Sequence, residues 1–320
     1  MKKSICIVLC LVLGLGILAA CGGGDDGLIK VGIINQPPEE SGYRAANVAD
    51  FERVFTEENG YNTRTFYSDN HNAQINAARE FIDDGVDYLL IAAASSDGWD
   101  SVLTSARDAG IKVFLFDRMI NVSNDLFEAA VVSDMPRQGD LAVRWLKDQN
   151  LDVYNVVHIQ GAMGTDAQIG RTAALDREFA AGTMHKVVQQ SAAWDEDEAM
   201  RIVQGVIESG EPFNVVYAEN DGMARGAVTA LDQAGISHGV DGDVIIIGFD
   251  ANKWALRELL AGNWNYNGQC SPFQASVIDE KIRVLEAGGT ITEKIIISDE
   301  VGFDARTITQ ADIDAFGLGD

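Results

Sequence analysis

Once its first 21 residues are set aside, this chain has a single cysteine left. Cys6 and Cys10 fall in an N-terminal leader and Cys21 at its end, so only Cys270 remains in the body. One thiol can form no internal disulfide and argues against a Cys/His metal cluster. The four histidines, His71, His158, His185 and His238, are scattered, with no His-x-x-His or His-Glu-x-x-His pair. Positive charge is also scarce. Lys and Arg number 24 against 49 Asp and Glu, a net charge of −25, and loss of Lys2 and Lys3 with the leader makes the body more acidic still. So acidic a surface is soluble and repels nucleic acid and anionic lipid headgroups. No helix-turn-helix, low-complexity tract, short-period repeat or long like-charge block appears after Gly27. The fold must stand on its hydrophobic core, and about 290 residues suffice for two lobes.

The one long apolar run, residues 5–18, follows the basic start Met1-Lys2-Lys3 and precedes Leu18-Ala19-Ala20-Cys21. That is the layout of a secretory signal, and it is too short for a good spanning helix. The ending resembles a bacterial lipobox. The resemblance implies a signal peptide over residues 1–20, cleavage before Cys21, and lipid on its sulfur and new amino terminus. Residues 21–27, rich in glycine, read as a flexible tether. A plain secretory signal with an incidental cysteine is the alternative, and either places the protein outside the cytoplasm.

From residue 28 onward apolar strands alternate with stretches of helical spacing. Strands are expected at 28–34, 63–67, 88–92 and 113–116, with helices at 42–58, 71–83 and 99–108 between them. After an apolar stretch at 129–132 the pattern restarts with helix 136–149, whose Pro136 suits a first turn. Strands at 155–160, 186–190, 214–217 and 244–247 then alternate with helices at 166–181, 196–209 and 222–234. This order implies α/β architecture with two right-handed, doubly wound parallel-sheet lobes whose strand ends face a shared cleft.

Ligands of open α/β sheets sit outside the carboxyl ends of the strands. The run Val113-Phe114-Leu115-Phe116 ends there on Asp117 and Arg118. An acceptor-only acid beside a donor-only arginine can grip hydroxyls, which do both. The same pair could equally be a salt bridge capping the strand. Ser95, Ser96 and Asp97 follow the third strand; Glu219, Asn220, Asp221 and Asp250 occupy the matching places in the second half. Tyr43 and Trp194 stand in loops on the same side, and aromatics beside acids, amides and arginines suit a sugar's apolar faces and polar rim.

In that order and spacing the chain after Gly27 resembles a type I periplasmic sugar-binding protein, nearest the ribose- and galactofuranose-binding members. The marks are Glu40-Ser41-Gly42-Tyr43-Arg44-Ala45-Ala46, Asp84-Gly85-Val86-Asp87-Tyr88, Ala109-Gly110-Ile111 through Arg118, Asn220-Asp221-Gly222-Met223-Ala224, Gly248-Phe249-Asp250 and Gln269-Cys270-Ser271-Pro272. The resemblance implies Glu40, Tyr43, Arg44, Ser95, Asp117, Arg118, Asp166, Arg171, Trp194, Asn220, Asp250 and Gln269 as ligand-binding residues. Arg44 follows the galactofuranose-type pattern and Gln269 the ribose-type one. A three-crossing hinge is implied, with lobes of residues 28–131 plus 270–298 and 132–269 plus 299–320. The resemblance further implies a monosaccharide ligand (pentose, hexose or galactofuranose-like), a membrane permease of an ABC importer as partner, a monomer anchored by lipid at Cys21, and no cofactor or nucleic acid. A sugar sensor presenting its ligand-bound form to a membrane signalling protein would read the same.

Three motifs point elsewhere and fail on context. Gly235-Ile236-Ser237-His238-Gly239 has nucleophile-elbow spacing, but a helix precedes it and a strand follows, the reverse of what the elbow needs. Gly161-Ala162-Met163-Gly164 lacks the endings of a phosphate loop. The acids from Asp195 to Glu198 open a helix, without the glycine-bearing loop of a calcium site. No nucleophile, base and metal set is arranged for catalysis, so binding without chemistry is expected.

Overall fold

The structure, a computed structural model, describes residues 27–319; the expected signal peptide, most of the expected tether and Cys21 lie outside the described residues. Six strands build a first sheet: β1 (Ile29–Asn35), β2 (Tyr61–Tyr67), β3 (Tyr88–Ile91), β4 (Lys112–Asp117), β5 (Ala129–Val132) and β11 (Ile295–Ile297). Their order is β11-β5-β4-β3-β1-β2, parallel throughout. The second sheet holds β6 (Asn155–Gln160), β7 (His185–Ser191), β8 (Val215–Ala218), β9 (Ile245–Asp250), β10 (Tyr266–Gln269) and β12 (Gly302–Asp304). It runs β12-β10-β9-β8-β6-β7, with only β12 antiparallel to its neighbour. This is the two-lobed α/β architecture that the alternating pattern implies.

Helices cover both faces of each sheet, so the strands are apolar on both sides. In the first lobe Leu89, Ile91 and Leu115 pack under α2 (His71–Asp83) and α3 (Asp100–Asp108). Leu90, Phe114 and Phe116 face the opposite way, toward α1 (Gly42–Val54) and α9 (Ala275–Glu286). Removing one such ring, as in Phe114→Ala, costs about 3–5 kcal/mol. In the second lobe α4 (Met135–Asp148), α5 (Asp166–Ala181), α6 (Glu196–Ser209), α7 (Asp221–Ala234), α8 (Lys253–Leu260) and α10 (Gln310–Phe316) do the same.

Local chemistry sets the helix ends. Asn70, Thr165, Asp195 and Asn220 each accept a backbone N–H of the first turn, and α5, α6 and α7 stop at Gly182, Gly210 and Gly235 in the left-handed region. The helix expected over 42–58 ends at Val54, because Phe55 leaves helical geometry and Asn59 Nδ2 donates to the Val54 carbonyl at 2.8 Å. The strand expected to stop at residue 247 continues to Asp250, held by its parallel pairing with β10.

The chain passes between sheets after Val132, after Gln269 and between Ile297 and Gly302. One buried carboxylate ties the three passages together. Glu300 accepts from Ser133 Oγ (2.6 Å), Ser271 N (2.7 Å) and Gln138 Nε2 (2.6 Å). Beyond the passages the lobes also touch directly: Ser96 N donates to Gly164 O at 3.2 Å, and Met119 N to Asp166 Oδ2 at 3.0 Å. The cleft is closed. Among the described residues no helix is long and apolar enough to cross a membrane.

Candidate ligand-binding site

On the first lobe's wall, β4 ends at Asp117 with φ 65°, which turns the carboxylate into the space between the lobes. It receives Arg44 Nη2 at 2.5 Å and the Tyr43 hydroxyl at 2.8 Å, both from the first turn of α1, with Arg118 Nε 3.5 Å away. Burial would raise the carboxyl's pKa; the Arg44 and Arg118 guanidiniums and these hydrogen bonds outweigh burial and hold it below its usual range. Arg44 is fully buried and also donates to Glu40 Oε2 (3.2 Å), Asn35 Oδ1 (2.8 Å) and Asn47 Oδ1 (3.1 Å). Arg118 reaches Glu40 Oε1 and the Ala93 carbonyl, each at 3.4 Å.

The second lobe mirrors this with a second acid and arginine. Asp250 ends β9 at φ 107°, and Arg171 of α5 approaches its Oδ1 to 3.4 Å. Arg171 is fixed by Gln138 Oε1 (2.9 Å), by the Glu219 carbonyl and by the Phe249 ring, 4.8 Å from its guanidinium carbon. Here burial wins over Arg171, and nearby acids add to it, so Asp250 sits well above its ordinary pKa. Asn220 uses its Oδ1 to cap α7, accepting from Met223 N at 2.8 Å, and the cap does not use its amide NH2. Trp194, at φ 70°, lays its ring against Gly161, where any Cβ would collide with it. Asp117, Trp194 and Asp250 therefore all hold side chains in a backbone region that favours glycine, at about 1–3 kcal/mol each.

These groups close around one small cavity between the lobes. Three acids (Glu40, Asp117, Asp250) and three arginines (Arg44, Arg118, Arg171) balance around it. A charge-balanced, buried polar chamber suits a small neutral molecule rich in donors and acceptors.

Residues 31–274 match the periplasmic binding protein domain. The chain belongs to that family. Over nearly its full length (97% of this chain, 96% of the relative) it is 29% identical to the fructose import binding protein FruE of Bifidobacterium longum. It is 30% identical to the galactofuranose-binding protein YtfQ of Escherichia coli, over 82% of this chain and 84% of that one. Among solved structures, the binding component of the arabinose ABC transporter of a Shewanella species, bound to α- and β-L-arabinofuranose, superposes with a TM-score of 0.81. That match is 27% identical and covers 89% of this chain and 95% of the other.

Eight of the twelve residues singled out from the sequence line this periplasmic binding protein's cavity: Glu40, Tyr43, Asp117, Arg118, Arg171, Trp194, Asn220 and Asp250. Arg44 lies directly behind the wall, holding Asp117. Three lie elsewhere. Gln269 turns its Oε1 toward Val301 N (3.3 Å) at a passage between lobes, and its neighbour Cys270 faces the cavity instead, because side chains alternate along extended chain. Ser95 is engaged with the adjacent loop, its carbonyl accepting from Trp99 Nε1 at 2.9 Å. Asp166 accepts from Met119 N across the cleft and so joins the lobes to each other. The sequence reading missed Ser41, Met135, Ala167 and Cys270, which complete the lining. Burial pushes the Cys270 thiol far up, with the Glu300 charge adding to it, so it serves as an apolar contact.

Proposed function

We propose that this protein captures one neutral monosaccharide, held as a furanose, between its lobes and delivers it to the permease of an ABC importer. The observation that carries the reading is the pair of acid–arginine couples, Asp117 with Arg118 and Asp250 with Arg171, set on opposite lobe walls of one closed chamber. A ring bound there bridges the lobes, so contacts made only in the closed state supply the free energy of closure. Each hydrogen bond to a charged group contributes about 1.5–3 kcal/mol. The aromatic faces of Trp194 and Tyr43 suit the ring's apolar surface. The balanced charges disfavour uronates, sugar phosphates and amino sugars. The furanose form draws its support from the names of the galactofuranose and arabinofuranose binders, and the import role from the fructose and arabinose systems.

In this reading residues 28–131 with 270–298 move as one body and 132–269 with 299–320 as the other, and the protein works as a monomer tethered by lipid at Cys21. It performs no chemistry, since its carboxylates are committed to arginines. Calorimetric titration with D-fructose, L-arabinose, D-galactose and D-ribose, paired with small-angle scattering, tests the central step. One sugar should bind and reduce the radius of gyration; no heat from any of them, or binding with an unchanged scattering profile, would sink it. Mass spectrometry of the mature N-terminus tests the anchor, which requires a lipid-modified Cys21.

A further inference from the structure

A second chamber adjoins the first. It shares Glu40, Ser41, Trp194, Asn220 and Asp250 with the inner cavity and runs outward past Gly42, Gly222 and Trp254. It is the roomier of the two. The gap is not the mark of a half-open cleft. At its edge the lobes already meet, since a Cβ on Gly42 would collide with Asn252 Oδ1. They are also joined at Ser96–Gly164 and Met119–Asp166. Closure therefore leaves this vestibule in place.

Its outer wall is pre-ordered. Arg225 lies over Trp254 at 4.1 Å and is gripped by both Glu196 oxygens, at 2.8 and 2.5 Å. Trp254 in turn packs edge-on to Trp264, ring centroids 5.8 Å apart. On α7, Gly222 sits in the first turn with nothing nearer to a built Cβ than Asn220 Oδ1 at 3.7 Å. Glycine there gives up about 0.5–1 kcal/mol of helix stability relative to alanine, and its missing side chain keeps the vestibule clear.

We infer that the site takes neutral glycosides as well as free sugar, with a furanosyl unit in the inner cavity and a second ring in the vestibule beside Trp194, Trp254 and Gly222. The inference rests on the sugar-binding reading above. The outer unit must be uncharged or nearly so. Among the described residues lining the vestibule, the one cation, Arg225, is neutralised by Glu196, while Glu39 and Asp195 leave the wall acidic. A phosphate, a nucleotide or a uronate would meet repulsion there.

The test titrates the mature protein with matched pairs: D-fructose and levanbiose, L-arabinose and arabinobiose, D-galactose and D-ribose with their furanosyl disaccharides. For the monosaccharide that binds, its disaccharide should bind within about tenfold of it. With Gly222→Ala as the control for contact with Asn220, whose Oδ1 lies 3.7 Å from a built Cβ, Gly222→Phe fills the vestibule. It should weaken the disaccharide at least tenfold and leave the monosaccharide unchanged. A bound monosaccharide whose disaccharide gives no heat would overturn the inference and leave the monosaccharide reading standing. An equal loss of both ligands in Gly222→Phe would overturn it too. No binding by any member of any pair would remove both.

Discussion

Replacing Asp117 with asparagine should damage folding and binding together. Its carboxylate is the partner of Arg44, which has no solvent exposure and so cannot turn to water when that partner is lost. Breaking a buried pair costs about 3–5 kcal/mol. Arg44 keeps Glu40 at 3.2 Å and two asparagine oxygens at 2.8 and 3.1 Å, which places Asp117→Asn near the lower end, about 3 kcal/mol. For a protein of this size that is roughly 6–12 °C in melting temperature. Asparagine tolerates the left-handed backbone at 117, so strain adds little. Sugar affinity should fall by about tenfold to more than a hundredfold, since the site loses a charged acceptor. Melting curves without sugar and calorimetric titration at a temperature where the variant is folded read the two effects separately. Adding Arg44→Met to Asp117→Asn should restore much of the stability and none of the binding. The acid limb offers a further check. A depressed carboxyl pKa contributes stability above the unfolded value, about 3.9, and loses it as pH falls toward the folded value, so the wild type's advantage should shrink below that pH. An unchanged melting point for Asp117→Asn, or wild-type affinity in the folded variant, would refute this account.

Gly42→Ala adds a methyl group against Asn252, whose Nδ2 is tied to Asp221 at 3.0 Å and cannot swing away freely. Sugar should bind at least tenfold more weakly and compact the variant less in small-angle scattering; full compaction at wild-type affinity would show that the lobes do not meet there. Asp250, Asp166 and Glu300 are all raised, chiefly by burial. The unliganded fold then holds more protons than the unfolded chain between about pH 4 and the raised values, so its melting temperature should climb as pH falls through those values toward about 4. Asp250→Asn should flatten that slope, and a slope as steep as wild type would exclude Asp250 as a source.

The strand-end chemistry was readable because position in a parallel sheet dictates it. Asp117, Arg118, Asn220 and Asp250 follow apolar runs, and their side chains line the cavity. Helices with strong ends were equally plain. The expected spans for α2, α5 and α6 match the structure because Asn70, Thr165 and Asp195 announce their starts. What stayed hidden depends on partners distant in sequence. β10, β11 and β12 are short, and pairing rather than composition defines them. The choice between Gln269 and Cys270 is a matter of one residue of register. Asp117 and Arg118 suggested a pair of neighbours, whereas the tight partner is Arg44, brought from α1 across 73 residues of chain. The question of binding residue or salt bridge thus had no single answer, since Asp117 is in the cavity wall and in the ion pair at once.

The three passages between sheets also govern the order in which the molecule can form. The first sheet's core face, with Val31, Phe114, Phe116 and Val131, is covered by Ala275, Ile278 and Ile282 of α9, and its edge strand is β11. Those segments leave the ribosome only after residues 133–269, most of the second lobe, have been made. The second lobe in turn waits for β12, which pairs with β10 only once residue 304 has been added. Neither lobe is a contiguous stretch that can finish while the other is being synthesised. The growing chain therefore stays short of its native core almost to release, a condition that suits a polypeptide still to be threaded through a membrane pore.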